Sequence, residues 1–192
     1  MKCGLVLLVA GASQRMGQPK QLMNYRGKTL LRHAVDTALA ARVDRVIVVL
    51  GANAEPISAA LSGVVIEIVQ NARWEEGMGT SIHAGVRRAT ELQLDAAILA
   101  LGDQPLVTTE IYDRLIAEHE ATGKPIVTSE YAGTVGVPVL FSDEYFPQLL
   151  ALQPDQGCKG VILKHSAHAV RIACPEAEVD IDTPSDFQKL QP

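Results

Sequence analysis

The sequence predicts a three-layer, doubly wound α/β fold built on a mainly parallel sheet. Three observations carry this. Short apolar runs recur along the 192 residues. Most of them are continuous rather than alternating, and segments with apolar residues at helical spacing separate them. A continuous apolar run marks a strand covered on both faces, whereas a half-exposed strand alternates. Regular strand–helix alternation implies right-handed crossovers between parallel neighbours.

Taken in order, strands are expected at 4–10 (GLVLLVA), 45–51, 64–69, 95–101 and 124–130. Helices are expected at 29–41, 54–61, 79–92 and 108–121, the last with Thr108 or Thr109 as N-cap and an acid in its first turn. After residue 130 the rhythm changes. Residues 132–141 are glycine-rich and β-like, short helices are expected at 143–152 and 158–166, and a strand at 167–175. In the closing stretch VDIDTPSDF (179–187), Asp180 and Asp182 fall on one side of a strand by its period of two. Thr183 or Ser185 then caps a helix with Pro184 near its first position. Neither a linker nor a repeat interrupts the chain, so residues 1–192 are expected to form a single domain.

Composition narrows the function. The chain is 47% hydrophobic and 20% charged, enough to bury a core. Its formal net charge of -5 argues against a nucleic-acid binder, which would need a basic face. Cys3, Cys158 and Cys174 make no C-x-x-C pair and no zinc spacing, a sparse set suited to a reducing compartment. Met1-Lys2 leads straight into a strand rather than a signal peptide, and no apolar run reaches the ~20 residues of a membrane span. A cytoplasmic protein that neither enters nor binds a membrane is expected.

Against this acidic background the loop after the first strand stands out. LLVAGASQRMGQPKQ (7–21) ends a buried run in small residues and then adds Arg15 and Lys20. In open α/β sheets the ligand sits beyond the carboxyl ends of the strands. Gly11, Ala12 and Ser13 let backbone N–H groups approach an anion, and a triphosphate suits the added positive charge. The loop is not a Walker loop: Gly11 to Gly17 is one residue too long, and no Lys-Ser/Thr follows. Alone, it reads equally as an ordinary strand-to-helix connection with solvent-facing Arg15 and Lys20. Two more stretches shift the balance. LALGDQPLV (99–107) ends another strand in Asp103, a position suited to a Mg²⁺ ligand or to a turn cap. Asp182, or Asp180, offers a second carboxylate. A third stretch, Gly77 to Ser81, precedes a helix with glycines and hydroxyls able to meet a flat base, and Trp74, the only tryptophan, lies just before it. His33, His83, His119, His165 and His168 accompany no nucleophile motif and read as structural or surface residues.

Together these residues resemble a family of nucleotidyltransferases that includes the molybdenum cofactor cytidylyltransferases and the related guanylyltransferases. Leu8 through Lys20 matches the family's L-A-A-G-x-S-x-R-M-G-x-x-K motif, with Val9 replacing one alanine. Trp74–Ser81, Leu101–Pro105, Gly136–Phe141, Asp155–Gly157 and Asp180–Pro184 match further motifs of the cytidylyl branch in the same order. Val137 stands where the family has histidine and Cys158 where it has alanine, both in the half that takes the second substrate.

The resemblance implies a Rossmann-like nucleotidyltransferase fold. It implies that Ala10, Gly11, Ala12, Ser13, Arg15 and Lys20 bind the nucleotide, with Gly79 and Ser81 near its base. It implies that Asp103 and Asp182 bind Mg²⁺, and that Arg15, Lys20 and Asp103 carry the chemistry. The reaction implied is CMP transfer from CTP to molybdopterin or molybdenum cofactor with release of pyrophosphate. A molybdenum hydroxylase or its maturation chaperone would then be a partner. Three other readings stay open: a GTP-dependent guanylyltransferase, a cytidylyltransferase with another phosphorylated acceptor, and a non-catalytic carrier or insertion chaperone for the cofactor.

Overall fold

A computed structural model describes residues 1–190. Its centre is a seven-stranded sheet of β1 (Cys3–Leu8), β4 (Arg45–Leu50), β5 (Glu67–Gln70), β6 (Ala96–Leu101), β7 (Ile126–Tyr131), β8 (Thr134–Ser142) and β9 (Ala169–Ala173). A small separate hairpin pairs β2 (Asn24–Tyr25) with β3 (Lys28–Thr29). The strand order is β5-β4-β1-β6-β8-β7-β9. From β5 to β6 every pairing is parallel, β8 runs antiparallel to both β6 and β7, and β9 returns to parallel. The mainly parallel, doubly wound sheet expected from the sequence is therefore present. Its one antiparallel strand enters through a hairpin: Ala132 and Gly133 take φ of 49° and 71°, the left-handed pair of a tight two-residue turn.

Alternate residues of β1 explain the three layers. Leu5 and Leu7 pack with Leu31, Val35 and Ile57 and with Leu115. These come from α1 (Leu30–Leu39), α2 (Ala54–Ala59) and α4 (Thr109–Thr122). Val6 and Leu8 pack on the other face with Ile82, Val86, Leu149 and Ile162. These come from α3 (Met78–Glu91), α5 (Phe146–Leu150) and α6 (Lys159–Lys164). Side chains of a strand point alternately to its two faces, so a strand buried on both must be apolar throughout.

Several boundaries differ from expectation. The third strand begins at Glu67, not residue 64: Val64–Ile66 lie outside it, with Val64 and Ile66 packed on the core and Val65 almost fully exposed. Thr108 is the N-cap of α4 but makes no side-chain cap bond, while the Thr109 hydroxyl donates to the Thr37 carbonyl at 3.0 Å.

The larger correction concerns residues 179–182, which form no strand. Asp180 and Asp182 do not share a strand face. The segment is held instead by one backbone bond, Ile181 N–H to the Asp103 carbonyl at 3.0 Å. The Ile181 side chain is fully buried with Met16, Tyr25, Leu30 and Phe187 in a small satellite core. That core ties the loop after β1 to the end of the chain. Phe187 belongs to α7 (Pro184–Lys189), which starts with a capping box: the Thr183 side chain accepts from Asp186 N–H and the Asp186 side chain accepts from Thr183 N–H.

Because this cap fixes the entry of α7 directly after Asp182, Thr183→Ala is expected to lower stability by about 1 kcal/mol, the usual cost of a lost N-cap. The measurement is the urea unfolding midpoint. An unchanged midpoint would show that the satellite core alone positions the segment.

Candidate functional site

The chain winds outward from β1 to β4 and β5, then crosses back to β6 on the other side of β1. The reversal point lies between β1 and β6, and in such sheets the ligand crevice opens there, at the carboxyl ends. A cleft of about 440 Å³ occupies this place. Ala10, Gly11, Ala12, Ser13, Arg15, Lys20, Ser81, Asp103 and Asp182 all line it. Its volume falls within the range usual for small-molecule sites.

The loop after β1 is shaped for an anion. Ser13 adopts a left-handed conformation with φ of 54°, uncommon for a residue with a Cβ and sustained only by its surroundings. Gln21 supplies them. Its buried side chain donates from Nε2 to the Gly11 carbonyl at 3.0 Å, and its Oε1 accepts from the Ser13 hydroxyl at 3.2 Å. The Lys20 N–H donates to the same Ser13 oxygen at 3.2 Å. Serine and glutamine thus stitch the loop internally. The N–H groups of Gly11, Ala12, Ser13 and Gln14 make no hydrogen bond among the described residues. A run of free N–H groups around a left-handed residue is an anion-binding concavity.

Beneath the loop, Lys20 joins the two carboxylates. Its ammonium donates to Asp103 Oδ2 at 2.5 Å, to the Ile181 carbonyl at 2.7 Å and to Asp182 Oδ1 at 3.1 Å. The Lys20 side chain is only 12% exposed. Burial disfavours its charge, but Asp103 and then Asp182 outweigh that and hold the ammonium above its ordinary range. Arg15 reaches Asp182 Oδ2 at 2.7 Å from a largely exposed position. Asp180 does not touch Lys20. Desolvation by neighbouring protein atoms, then the charge of Asp103, pushes its carboxyl up to about 6.

The donor set suits a hard divalent cation. Asp103 Oδ1 is buried without a hydrogen-bond partner among the described residues, and carboxylate oxygens are the natural ligands of such ions. Among the described residues, no group of three or more His, Cys, Asp or Glu side chains could hold a metal ion. A cation here would therefore rely on ligand phosphates and water to complete its shell.

On the opposite wall, Ser81 faces the cleft and its Oγ accepts from Asn71 Nδ2 at 3.0 Å, which leaves the hydroxyl proton available. Asn71, which sequence reasoning passed over, is buried and also donates to Thr80 Oγ1 at 2.8 Å. Trp74 lines the cleft and packs over Gly51 at the end of β4, where an added Cβ would meet the Trp74 side chain at 2.6 Å. Gly79, expected near a base, sits between the cleft residues Met78 and Ser81 and packs on residues 153–156. It does not line the cleft; its N–H donates to the Pro154 carbonyl at 2.9 Å, and a Cβ on it would collide with the Gln153 carbonyl. Its small size serves packing against residues 153–156. Of the histidines, His33 packs edge-on to Tyr25 and His168 Nδ1 pairs with the Tyr145 hydroxyl at 2.8 Å, while His83 Nε2 is buried with no hydrogen-bond partner among the described residues.

The fold and the cleft define a doubly wound α/β protein with a small-molecule site at the reversal of its sheet. Residues 5–170 match the MobA-like NTP transferase domain, and the chain belongs to that family. Purine catabolism protein PucB of Bacillus subtilis is 30% identical over 97% of this chain and 94% of its own length. Nicotine blue oxidoreductase of Paenarthrobacter nicotinovorans is 40% identical over a shorter stretch, 59% of this chain and 55% of its own. The molybdenum cofactor cytidylyltransferase of Escherichia coli is 27% identical, covering 95% of this chain and 92% of its own. The solved structure of Rv0371c from Mycobacterium tuberculosis in complex with manganese superposes with a TM-score of 0.82 at 29% identity, covering 99% of this chain and 98% of that one. Among the described residues, no helix is long and apolar enough to cross a membrane.

Gly79→Val places methyl groups against the carbonyls of 153–156. It is expected to destabilise the fold by about 1–3 kcal/mol, the usual cost of overpacking. A melting temperature equal to the parent's, with a weakened affinity for CTP, would instead return Gly79 to the ligand wall.

Proposed function

We propose that this chain transfers CMP from CTP to the terminal phosphate of molybdopterin or molybdenum cofactor, releasing pyrophosphate, with Mg²⁺ as its metal. The observation that carries the reading is the stacking of two layers at one sheet reversal. Free loop amides lie above Lys20, Asp103 and Asp182, which form the charged floor. The likeness to the E. coli cytidylyltransferase along nearly the whole length of both chains supports the choice of nucleotide and acceptor.

In this reading the acceptor's phosphate oxygen attacks the α-phosphorus of CTP in line. A new P–O bond forms as the bond to the bridging oxygen breaks, and pyrophosphate departs. The acceptor is already anionic, so neither a covalent enzyme intermediate nor a general base is needed. The work left to the protein is positioning and charge stabilisation. The amides of residues 11–14 seat the β- and γ-phosphates. Arg15 and Lys20 offset the charge that grows on the leaving pyrophosphate. Asp103 and Asp182 would hold Mg²⁺, which supplies Lewis-acid polarisation of the phosphates when bound. Ser81, fixed by Asn71, offers its hydroxyl proton to an acceptor atom on the cytosine edge. The product would pass to a molybdenum hydroxylase or its maturation chaperone.

A second reading keeps the chemistry and changes the acceptor. It is favoured by Val137, half-buried in β8, in place of the family's histidine.

Pyrophosphate release across the four ribonucleoside triphosphates, with and without molybdopterin, tests the proposal. CTP is expected to exceed GTP by at least ~100-fold in kcat/KM, about 2.7 kcal/mol of transition-state discrimination. Preference for GTP would overturn the cytidylyl assignment, and release independent of molybdopterin would overturn the acceptor. Asp103→Ala is expected to abolish turnover in a folded protein. Arg15→Ala and Lys20→Ala should each lower kcat by ~10²–10³, as when one charge stabiliser leaves a preorganised site. Unaltered kinetics in both would reduce the loop to a plain connection.

A further inference from the structure

We propose that the Lys20 ammonium holds the position a divalent cation would take between Asp103 and Asp182, so that a metal ion alone must compete with it and enters readily only together with a triphosphate. This rests on the nucleotidyl-transfer reading and deepens it: Lys20 becomes the residue that couples metal binding to nucleotide binding.

The geometry of the ammonium is the starting point. Lys20 has three N–H donors, and all three are used, on Asp103 Oδ2, the Ile181 carbonyl and Asp182 Oδ1. These are hard oxygen donors of the kind Mg²⁺ or Mn²⁺ selects. The second oxygen of Asp182 is engaged by Arg15 at 2.7 Å. The carboxylates therefore already carry cations, and a divalent ion would meet like charge in a partly buried site where screening is weak.

The same geometry shows how a nucleotide relieves the competition. Lys20 lines one cleft with Gly11, Ala12, Ser13 and Arg15. The amides of residues 11–14 have no internal partner among the described residues. Phosphates seated on those amides would give the ammonium, on its flexible four-carbon stem, new anionic partners within the cleft. Asp103 Oδ2 and Asp182 Oδ1 would then be released to the metal. Linkage is reciprocal, so the triphosphate tightens the metal by the factor by which the metal tightens the triphosphate.

The test is titration of Mn²⁺, followed by the paramagnetic signal of the free ion, with and without α,β-methylene-CTP. The proteins are the parent, Lys20→Met and Lys20→Arg, with folding followed by circular dichroism. The parent is expected to bind Mn²⁺ alone at least ~10-fold more weakly than with the analogue, a coupling of ordinary size. Lys20→Met should bind Mn²⁺ alone ~10-fold more tightly than the parent and lose most of the nucleotide dependence. Lys20→Arg, which keeps the charge, should bind Mn²⁺ alone no more tightly than the parent. Lys20→Gln serves the same purpose if the methionine variant unfolds. A folded neutral variant that binds Mn²⁺ alone no more tightly than the parent overturns the proposal, and leaves the transfer reading intact if the parent binds Mn²⁺ and analogue together. A parent that binds neither overturns both.

Discussion

The ammonium of Lys20 holds together three stretches that lie far apart in the chain: its own loop after β1, Asp103 after β6, and Ile181–Asp182 near the end. A lysine with a side chain 12% exposed survives as a cation only because anionic oxygens surround it. Removing either carboxylate leaves a charge that water only partly reaches. The requirement to neutralise that one charge fixes where the loops after two different strands must end.

The sheet makes this convergence possible. Reversal of the winding between β1 and β6 puts two loops side by side at one edge with no crossover helix between them. The satellite core then draws in the third stretch: Ile181 and Phe187 bury themselves against Met16, Tyr25 and Leu30. Apolar burial sets the approach of the segment, and the polar contacts set its register. The loop after β1 is ordered in a complementary way: Gln21 binds the carbonyls of Val9 and Gly11, while the N–H groups of residues 11–14 have no partner among the described residues.

Much of this was legible in the sequence because it is local. Gly11, Ser13, Arg15 and Lys20 sit within one turn-rich stretch, and Asp103 directly follows an apolar run, so strand-end chemistry can be read without knowing any tertiary contact. The layers were legible too, since the continuous runs of β1, β4 and β6 allow only a sheet covered on both faces. Other features depended on contacts between distant residues. Alternation in Val179-Asp180-Ile181-Asp182 imitates a half-buried strand, yet Ile181 is buried in a satellite core, and among the described residues the segment pairs with no strand. Gln21 and Asn71 are polar residues buried by the bonds they make, which periodicity does not record. Gly79 sits amid hydroxyls and glycines that suggest a ligand wall, but the carbonyls of residues 153–156, contributed from far along the chain, claim its space.

In the proposed reaction a triphosphate binds on the loop after β1 and takes over Lys20 from the carboxylates. A crystal structure of the protein with α,β-methylene-CTP and Mg²⁺ tests it most directly. Phosphate oxygens are expected on the amides of Gly11 to Gln14, with the Lys20 ammonium on a phosphate, withdrawn from Asp103. A nucleotide bound elsewhere, or bound here while Lys20 still bridges Asp103 and Asp182, would contradict it.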